Sequence, residues 1–188
     1  MIRGLPGSGK SFLASALVSE LGDHNVVVLD PDQVDHSSHE YLSFSHDMAV
    51  QGVDVKFHPN RYLKSKGYEA IDQGKIIIWN QAFTDLGGFK RTLASLKDYA
   101  SELHKKLPVL VVEVEVSIET AKKRVIKRVQ SGGHEVDDQA LERFVKDYKS
   151  FSDQGFVIVP VSGENDVASS AKTVLGAIDR NSLPRTLR

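Results

Sequence analysis

The sequence predicts an α/β protein in which a mostly parallel sheet carries helices on both faces. Three observations predict it. Short apolar runs of strand character alternate with longer runs of helical period, the pattern left by parallel strands joined through crossover helices. The run Gly4-Leu5-Pro6-Gly7-Ser8-Gly9-Lys10-Ser11 stands between an apolar start and an amphipathic stretch, a strand, loop and helix in succession. The 188 residues suffice for one compact domain with a buried core.

The first strand is short, because only Met1, Ile2 and Arg3 precede Gly4; either it is truncated or the natural chain begins further upstream. Leu13, Leu17 and Leu21 recur at helical spacing and define the first helix. Further strands are expected at 25–30, 75–79, 109–116 and 156–161, each an apolar run rich in β-branched residues. The later helices rest on Leu93, Leu96, Ala100 and Leu103; on Ile118, Ala121, Val125 and Val129; on Leu141, Phe144, Val145 and Tyr148; and on Val167, Ala171, Val174, Leu175 and Ile178. Ser117 and Asp138 are placed as N-caps for two of them. Residues 34–61 carry scattered Ser, His and Gly with weak periodicity, and are expected to form short helices and loops over the binding edge of the sheet. Residues 1–180 are read as a single domain with a lid at 129–140, and 181–188, with Pro184, Arg185 and Arg188, as a loose tail.

Apolar residues make up 40% and charged residues 26% of the chain, the balance of a soluble folded protein. With 24 Lys and Arg against 25 Asp and Glu, the net charge of −1 supplies no global attraction to nucleic acid or anionic membrane, so a nucleic-acid acceptor is allowed but not indicated. The absence of cysteine excludes disulfides and thiolate metal sites and fits a cytoplasmic location. The longest apolar stretch, 108–116, is interrupted by Glu113 and Glu115, and nothing spans a membrane.

Glycines at 4, 7 and 9 let the backbone curl around a phosphate with its N–H groups turned inward. The helix that starts near Lys10 points its positive end at the same anion. Together with Pro6 and Ser8 these residues complete a Walker A loop, in which Lys10 bridges the β- and γ-phosphates and the Ser11 hydroxyl ligates Mg²⁺. After the second strand, Pro31 forces Asp30 out of helical geometry, so the carboxylates of Asp30 and Asp32 both project at the carboxyl edge of the sheet. One can accept a proton from an attacking hydroxyl while the other orients the metal shell. Further on, Arg124 and Arg128 share a helical face ahead of Gly132-Gly133. A basic helix followed by a glycine pair suits a lid that brings arginines to the charge of a transferring phosphoryl group, with Arg143 approaching from its far side.

Other chemistries fit less well. No Asn-Lys-x-Asp guanine reader is present, and Ile78-Trp79-Asn80 lacks the acid that ends the equivalent strand of motor ATPases. His36, His39, His46 and His58 match no metal spacing and are read as a polar substrate-facing loop. The alternative to a kinase is a P-loop ATPase or nucleotide-dependent switch acting on a protein partner.

Arg3-Gly4-Leu5-Pro6-Gly7-Ser8-Gly9-Lys10-Ser11, the acids at 30 and 32, and Arg128 ahead of Gly132-Gly133-His134-Glu135-Val136 together resemble the zeta-toxin-like P-loop kinases and their polynucleotide-kinase-like relatives. The resemblance implies a five-stranded parallel sheet in the order 2-3-1-4-5. It also implies ATP with Mg²⁺, and transfer of the γ-phosphate to a hydroxyl of a nucleotide, nucleic-acid end or sugar-nucleotide. It gives Lys10 the phosphate role and Ser11 the metal role and puts Asp32 at the position of the general base; with Arg124 and Arg128 of the basic helix, Lys10 and Asp32 are the candidate catalytic residues. Asp30, Asp32, Arg61 and Asn80 fall on the substrate side, Arg61 through the pair Asn60-Arg61. An antitoxin-like protein partner is admitted by the same resemblance. One departure stands out: zeta toxins carry Glu-Gly-Thr after the third strand, where this chain has Asn80-Gln81. A sugar-nucleotide held through that glutamate is therefore put in question.

Overall fold

The computed structural model describes residues 1–130 and 138–181. Five strands and seven helices alternate among them: β1 (Ile2–Gly4), α1 (Lys10–Leu21), β2 (Val26–Leu29), α2 (His39–Val50), α3 (His58–Asp72), β3 (Ile76–Trp79), α4 (Leu86–Glu102), β4 (Leu110–Glu115), α5 (Ile118–Gln130), α6 (Asp138–Asp147), β5 (Val157–Ser162) and α7 (Val167–Arg180). Every strand pairing is parallel, as the alternation requires. The strands expected from the sequence are present, with boundaries shifted by a residue or two.

The single five-stranded sheet is not formed. β1, β4 and β5 make one ladder in the order β1-β4-β5, and β2 and β3 make another. The two meet at an isolated bridge between Ile2 and Asn80, where the Gln81 N–H donates to the Ile2 carbonyl at 3.1 Å. The cause is the shortness of β1. Ile2 stands level with Asn80, the residue after β3, which leaves almost no β1 backbone beside Ile76–Trp79.

Side chains alternate between the faces of the strands and feed two cores. Val112 and Val114 of β4 join Leu13 and Leu17 of α1 and Val174 of α7. Val111 faces the other way, into a cluster with Leu63 and Ile71 of α3, Leu93 and Leu96 of α4, and Trp79. Trp79 is fully buried, and its indole N–H donates to the Gln81 side chain at 3.1 Å, so it is core and not a base-stacking surface.

Residues 34–61 hold more regular structure than their weak periodicity suggests. α2 is a full 12-residue helix capped by Ser38, whose hydroxyl accepts from the Tyr41 N–H at 3.2 Å. α3 begins at His58 and runs 15 residues. Its buried face is Leu63, Gly67, Ala70 and Ile71, a helical spacing in which Gly67 hides the signal. A Cβ on Gly67 would lie 2.8 Å from Leu96 Cδ2, so glycine is what lets α3 close on α4. His58 is fully buried, its Nδ1 within 2.7 Å of Ser45 Oγ and its Nε2 within 2.9 Å of the Val53 carbonyl. It is a structural crosslink and does not face substrate.

Two charges on neighbouring strands belong together. Arg3 of β1 is fully buried and donates to Glu113 of β4 and, at 3.1 Å, to the Phe83 carbonyl. Glu113 also accepts from the Ser150 hydroxyl and the Phe151 N–H, while the Arg3 guanidinium lies over the rings of Tyr148 and Phe151. Paired and hydrogen-bonded in this way, buried charges become tolerable. They fix the chain that leaves α6 to the central strands.

Candidate active site

The phosphate loop is held from behind by close backbone contacts. A Cβ on Gly4 would stand 2.6 Å from the Val114 carbonyl oxygen, and one on Gly7 2.5 Å from that of Ala121 in α5. Gly7 and Gly9 have φ of 78° and 99°, the left-handed region that glycine enters at little cost. Gly163, just after β5, approaches so closely that a Cβ there would lie 2.0 Å from the Ser8 carbonyl oxygen. The loop is thus clamped between α5 and the turn into α7.

α1 opens with Gly9 as N-cap, with no side-chain cap bond and no acid in its first turn. Its first N–H groups lack intrahelical partners and its dipole is uncompensated there. Lys10 folds back over the loop, and its ammonium donates to the carbonyls of Gly4 at 2.9 Å and Leu5 at 3.0 Å. Burial lowers this ammonium from its ordinary 10.5 to about 8, partly opposed by the charges of Asp32 and Asp30. The Ser8 hydroxyl is buried without a partner. A glycine-lined cradle, an uncapped helix start and a desolvated cation together fit an oligophosphate.

Across the loop stand the two acids. Asp30 is buried, and its carboxylate accepts from the Asp32 N–H at 3.0 Å, the Gln33 amide at 3.1 Å and the Asn80 amide at 2.6 Å. Burial pushes the Asp30 carboxyl above its ordinary value, and the bonds from Asp32 and Asn80 counteract this. Asp32 is exposed, on the turn Pro31–Gln33. The same Asn80 amide nitrogen donates to Ser11 Oγ at 3.1 Å, while its carbonyl oxygen Oδ1 is buried and unpartnered. Asn80 thus couples Walker A serine to strand-end acid where other P-loop proteins keep a carboxylate.

These groups line one cleft of about 1740 Å³. It brings together Pro6, Gly7, Gly9, Lys10 and Ser11 with Asp30, Asp32, Arg61, Asn80, Arg124 and Arg128. Gly4 and Ser8 lie beneath, buried. Arg124 donates to the Gly163 carbonyl at 2.8 Å and to that of Gly7 at 3.4 Å, so it braces the loop as well as facing the cleft. The Arg128 charge is felt at Lys10. Ser117 caps α5 as expected, accepting from the Thr120 N–H at 3.2 Å. Of the expected lid, residues 131–137 with Gly132, Gly133 and His134 lie outside the described residues, as do 182–188 of the tail.

The described residues contain no group of three or more side chains arranged to hold a metal. Mg²⁺ on a nucleotide needs fewer, since phosphate oxygens and water complete its shell. The Ser11 hydroxyl and the carboxylates of Asp30 and Asp32 are hard oxygen donors lining the cleft. No described helix is long and apolar enough to cross a membrane.

Sequence reasoning missed three features of this site. Gly163 left no mark beyond an isolated glycine after a strand. Lys64 and Arg91 also line the cleft, but seeing them required the helical register of α3 and the start of α4. The coupling role of Asn80 depends on a contact 69 residues away in sequence.

A glycine loop at the end of a parallel strand, opening a helix whose lysine folds over the loop, defines a P-loop protein of kinase-like α/β architecture. The chain belongs to the AAA domain family, whose profile matches residues 1–151. Solved structures agree in fold. Kti12 of Chaetomium thermophilum in complex with ADP-AlF3 superposes with a TM-score of 0.63 at 16% identity, over 95% of this chain and 96% of that one. Deoxyadenosine kinase from M. mycoides gives 0.55 at 18% identity, over 96% and 97%. The Mycobacterium tuberculosis APS kinase CysC gives 0.55 at 15%, over 95% of both chains. No curated protein matches the chain in sequence.

One consequence of the Lys10 environment is directly measurable. A bound triphosphate favours the charged ammonium and raises a pKa that burial has lowered to about 8. Nucleotide binding should therefore take up about half a proton at pH 8, more at pH 9 and almost none at pH 6. Titration calorimetry with ATP in buffers of different ionisation enthalpy measures this uptake. An uptake that is absent at pH 8 and 9 would overturn the pairing of the phosphates with a Lys10 ammonium depressed by burial.

Proposed function

We propose that the protein is an ATP-dependent kinase that transfers the γ-phosphate to a hydroxyl of a nucleotide, nucleic-acid end or sugar-nucleotide. The observation that carries this reading is the meeting, in one cleft, of the Lys10 loop with Asp30 and Asp32, joined through the Asn80 amide to Ser11. Phosphoryl transfer is mainly positioning and charge stabilisation, and these are its parts. The loop N–H groups and the start of α1 hold the phosphates, and Lys10 neutralises charge between β and γ. Asp32 takes the proton of the acceptor hydroxyl as its oxygen bonds to phosphorus and the bond to the β-phosphate oxygen breaks, releasing ADP. Asp30 holds Asn80 and, through it, the Ser11 hydroxyl. Arg124 and Arg128 meet the charge that develops in transfer. Mg²⁺, held by Ser11 with Asp30 orienting its water shell, would supply further charge neutralisation on the phosphates. The zeta-toxin-like resemblance, with a single domain over 1–180 and a lid at 129–140, belongs to the same reading.

The test is incubation with γ-labelled ATP and separate pools of 5′-hydroxyl oligonucleotides, sugar-nucleotides, nucleosides and nucleotides. Label in an acceptor is the expected result, and the pool identifies its class. Free phosphate with no labelled acceptor would replace this reading by a hydrolase or nucleotide-dependent switch.

A further inference from the structure

The five residues that follow Asn80 all line the cleft: Gln81, Ala82, Phe83, Thr84 and Asp85. They carry the chain from the amide that meets Asp30 to the start of α4, whereas the phosphates are served by the loop, α1 and α5. Both ends of the segment are tied down. The Gln81 N–H donates to the Ile2 carbonyl at 3.1 Å, and the Asp85 carboxylate accepts from the Gly87 and Gly88 N–H groups at 2.8 and 2.9 Å. Between them Phe83 has a φ of 48°, the left-handed region, in which a bulky side chain crowds its own backbone. Such a conformation persists only where the surroundings impose it.

Arg3 imposes it here. Its Nη2 donates to the Phe83 carbonyl at 3.1 Å, while Nη1 is held by Glu113. The guanidinium carbon lies 3.6 Å from the centre of the Phe151 ring. Phe151 packs on Phe89 and Phe89 on Phe83, with ring centres 5.0 and 5.1 Å apart. Hydrogen bond and rings thus close a circuit around the turn, anchored at the residue directly before Gly4 of the phosphate loop. Stability alone explains this circuit poorly. A buried ion pair gains little over apolar packing of the same volume. Arg3 Nε is moreover buried with no hydrogen-bond partner among the described residues, which adds to the cost.

We infer that Arg3 is a positioning residue for phosphoryl transfer: it holds the segment 81–85 in a strained turn and fixes that edge of the cleft relative to the phosphate loop. This rests on the kinase reading. Transfer is sensitive to such spacing, since a displacement of about 1 Å between reacting groups can cost about 10²-fold in rate. Trp79, the sole tryptophan of the chain, donates its indole N–H to the Gln81 side chain, so its fluorescence reports on the start of the segment.

Arg3→Lys separates the two bonds, because a single ammonium keeps the Glu113 charge paired but cannot also fork to Phe83. Glu113→Gln is the control, since it disturbs the same ion pair and leaves the Phe83 bond in place. Thermal unfolding of both variants gives the structural cost. Each is offered γ-labelled ATP with the pools of 5′-hydroxyl oligonucleotides, sugar-nucleotides, nucleosides and nucleotides. Arg3→Lys should lose at least about tenfold in the single-turnover rate of labelling, with half-saturation by ATP kept within about twofold. Acrylamide should quench its Trp79 more strongly than in the wild-type protein. Glu113→Gln should keep wild-type quenching and a labelling rate within about threefold. The pair R3M/E113M leaves no charge buried and loses the same bond, so it should repeat the defect even if Arg3→Lys folds poorly. Wild-type transfer in Arg3→Lys, or losses that Glu113→Gln matches, would overturn the inference and leave the kinase reading intact. A wild-type protein that labels no pool would overturn the kinase reading and the inference with it.

Discussion

Replacing Lys10 by alanine should lower kcat/KM for ATP by at least about 10³-fold, the scale seen when a group aimed at transition-state charge is removed. The ammonium is the cation seated within the loop, fixed by the carbonyls of Gly4 and Leu5, and among the described residues no neighbouring side chain can take its place. Arg124 is engaged with Gly163 and Gly7, and the Arg128 charge acts on Lys10 itself. Burial increases the value of the lysine, because charge interactions strengthen as water is excluded. Arginine is not expected to restore activity, since a planar fork cannot occupy a site shaped for a point charge between two carbonyls. Steady-state kinetics, paired with titration of a fluorescent ATP analogue, separates loss of binding from loss of transfer. Turnover that persists in Lys10→Ala would mean that the triphosphate binds elsewhere.

How much of this site could be read from the sequence depends on the distance over which each feature is encoded. The phosphate loop is local: eight successive residues and the helix they open carry both conformation and chemistry. The same holds for Asp30-Pro31-Asp32, where one proline sets the direction of the chain. The strands were legible because each is a short apolar run, and the division into two ladders was not, because it depends on the level at which Ile2 meets Asn80. α3 escaped notice because its buried stripe includes Gly67, which carries no apolar side chain yet is chosen for closeness to Leu96. With α3 went the register that brings Lys64 beside Arg61. Glu113 reads as an interruption of an apolar strand until β1 and β4 are placed side by side and Arg3 is seen to meet it. Contacts between distant residues follow from topology, and a single sequence encodes them only indirectly.

The sequence left the roles of Asp30 and Asp32 interchangeable, and the geometry separates their expected behaviour. A general base needs a lone pair free to meet the acceptor hydroxyl. At Asp30 both carboxylate oxygens already accept bonds, Oδ1 from the Asp32 N–H and Oδ2 from Gln33 and Asn80. Taking up a proton there would set a donor against the Asn80 amide and loosen its hold on Ser11. Asp32 is exposed, lines the cleft, and gives Lys10 its strongest electrostatic support. Asp32→Asn should therefore keep nucleotide affinity within a fewfold and lose about 10²–10⁴-fold in the rate of transfer, the usual contribution of a positioned base. Asp30→Asn should fail differently, because an amide in place of the carboxylate can present a second donor to Asn80. Ser11 then loses its orientation, and nucleotide binding weakens along with transfer. Single-turnover transfer measured beside nucleotide affinity distinguishes the two patterns. Unchanged transfer in Asp32→Asn would remove it as the base, and selective loss of transfer in Asp30→Asn would give that role to the buried acid.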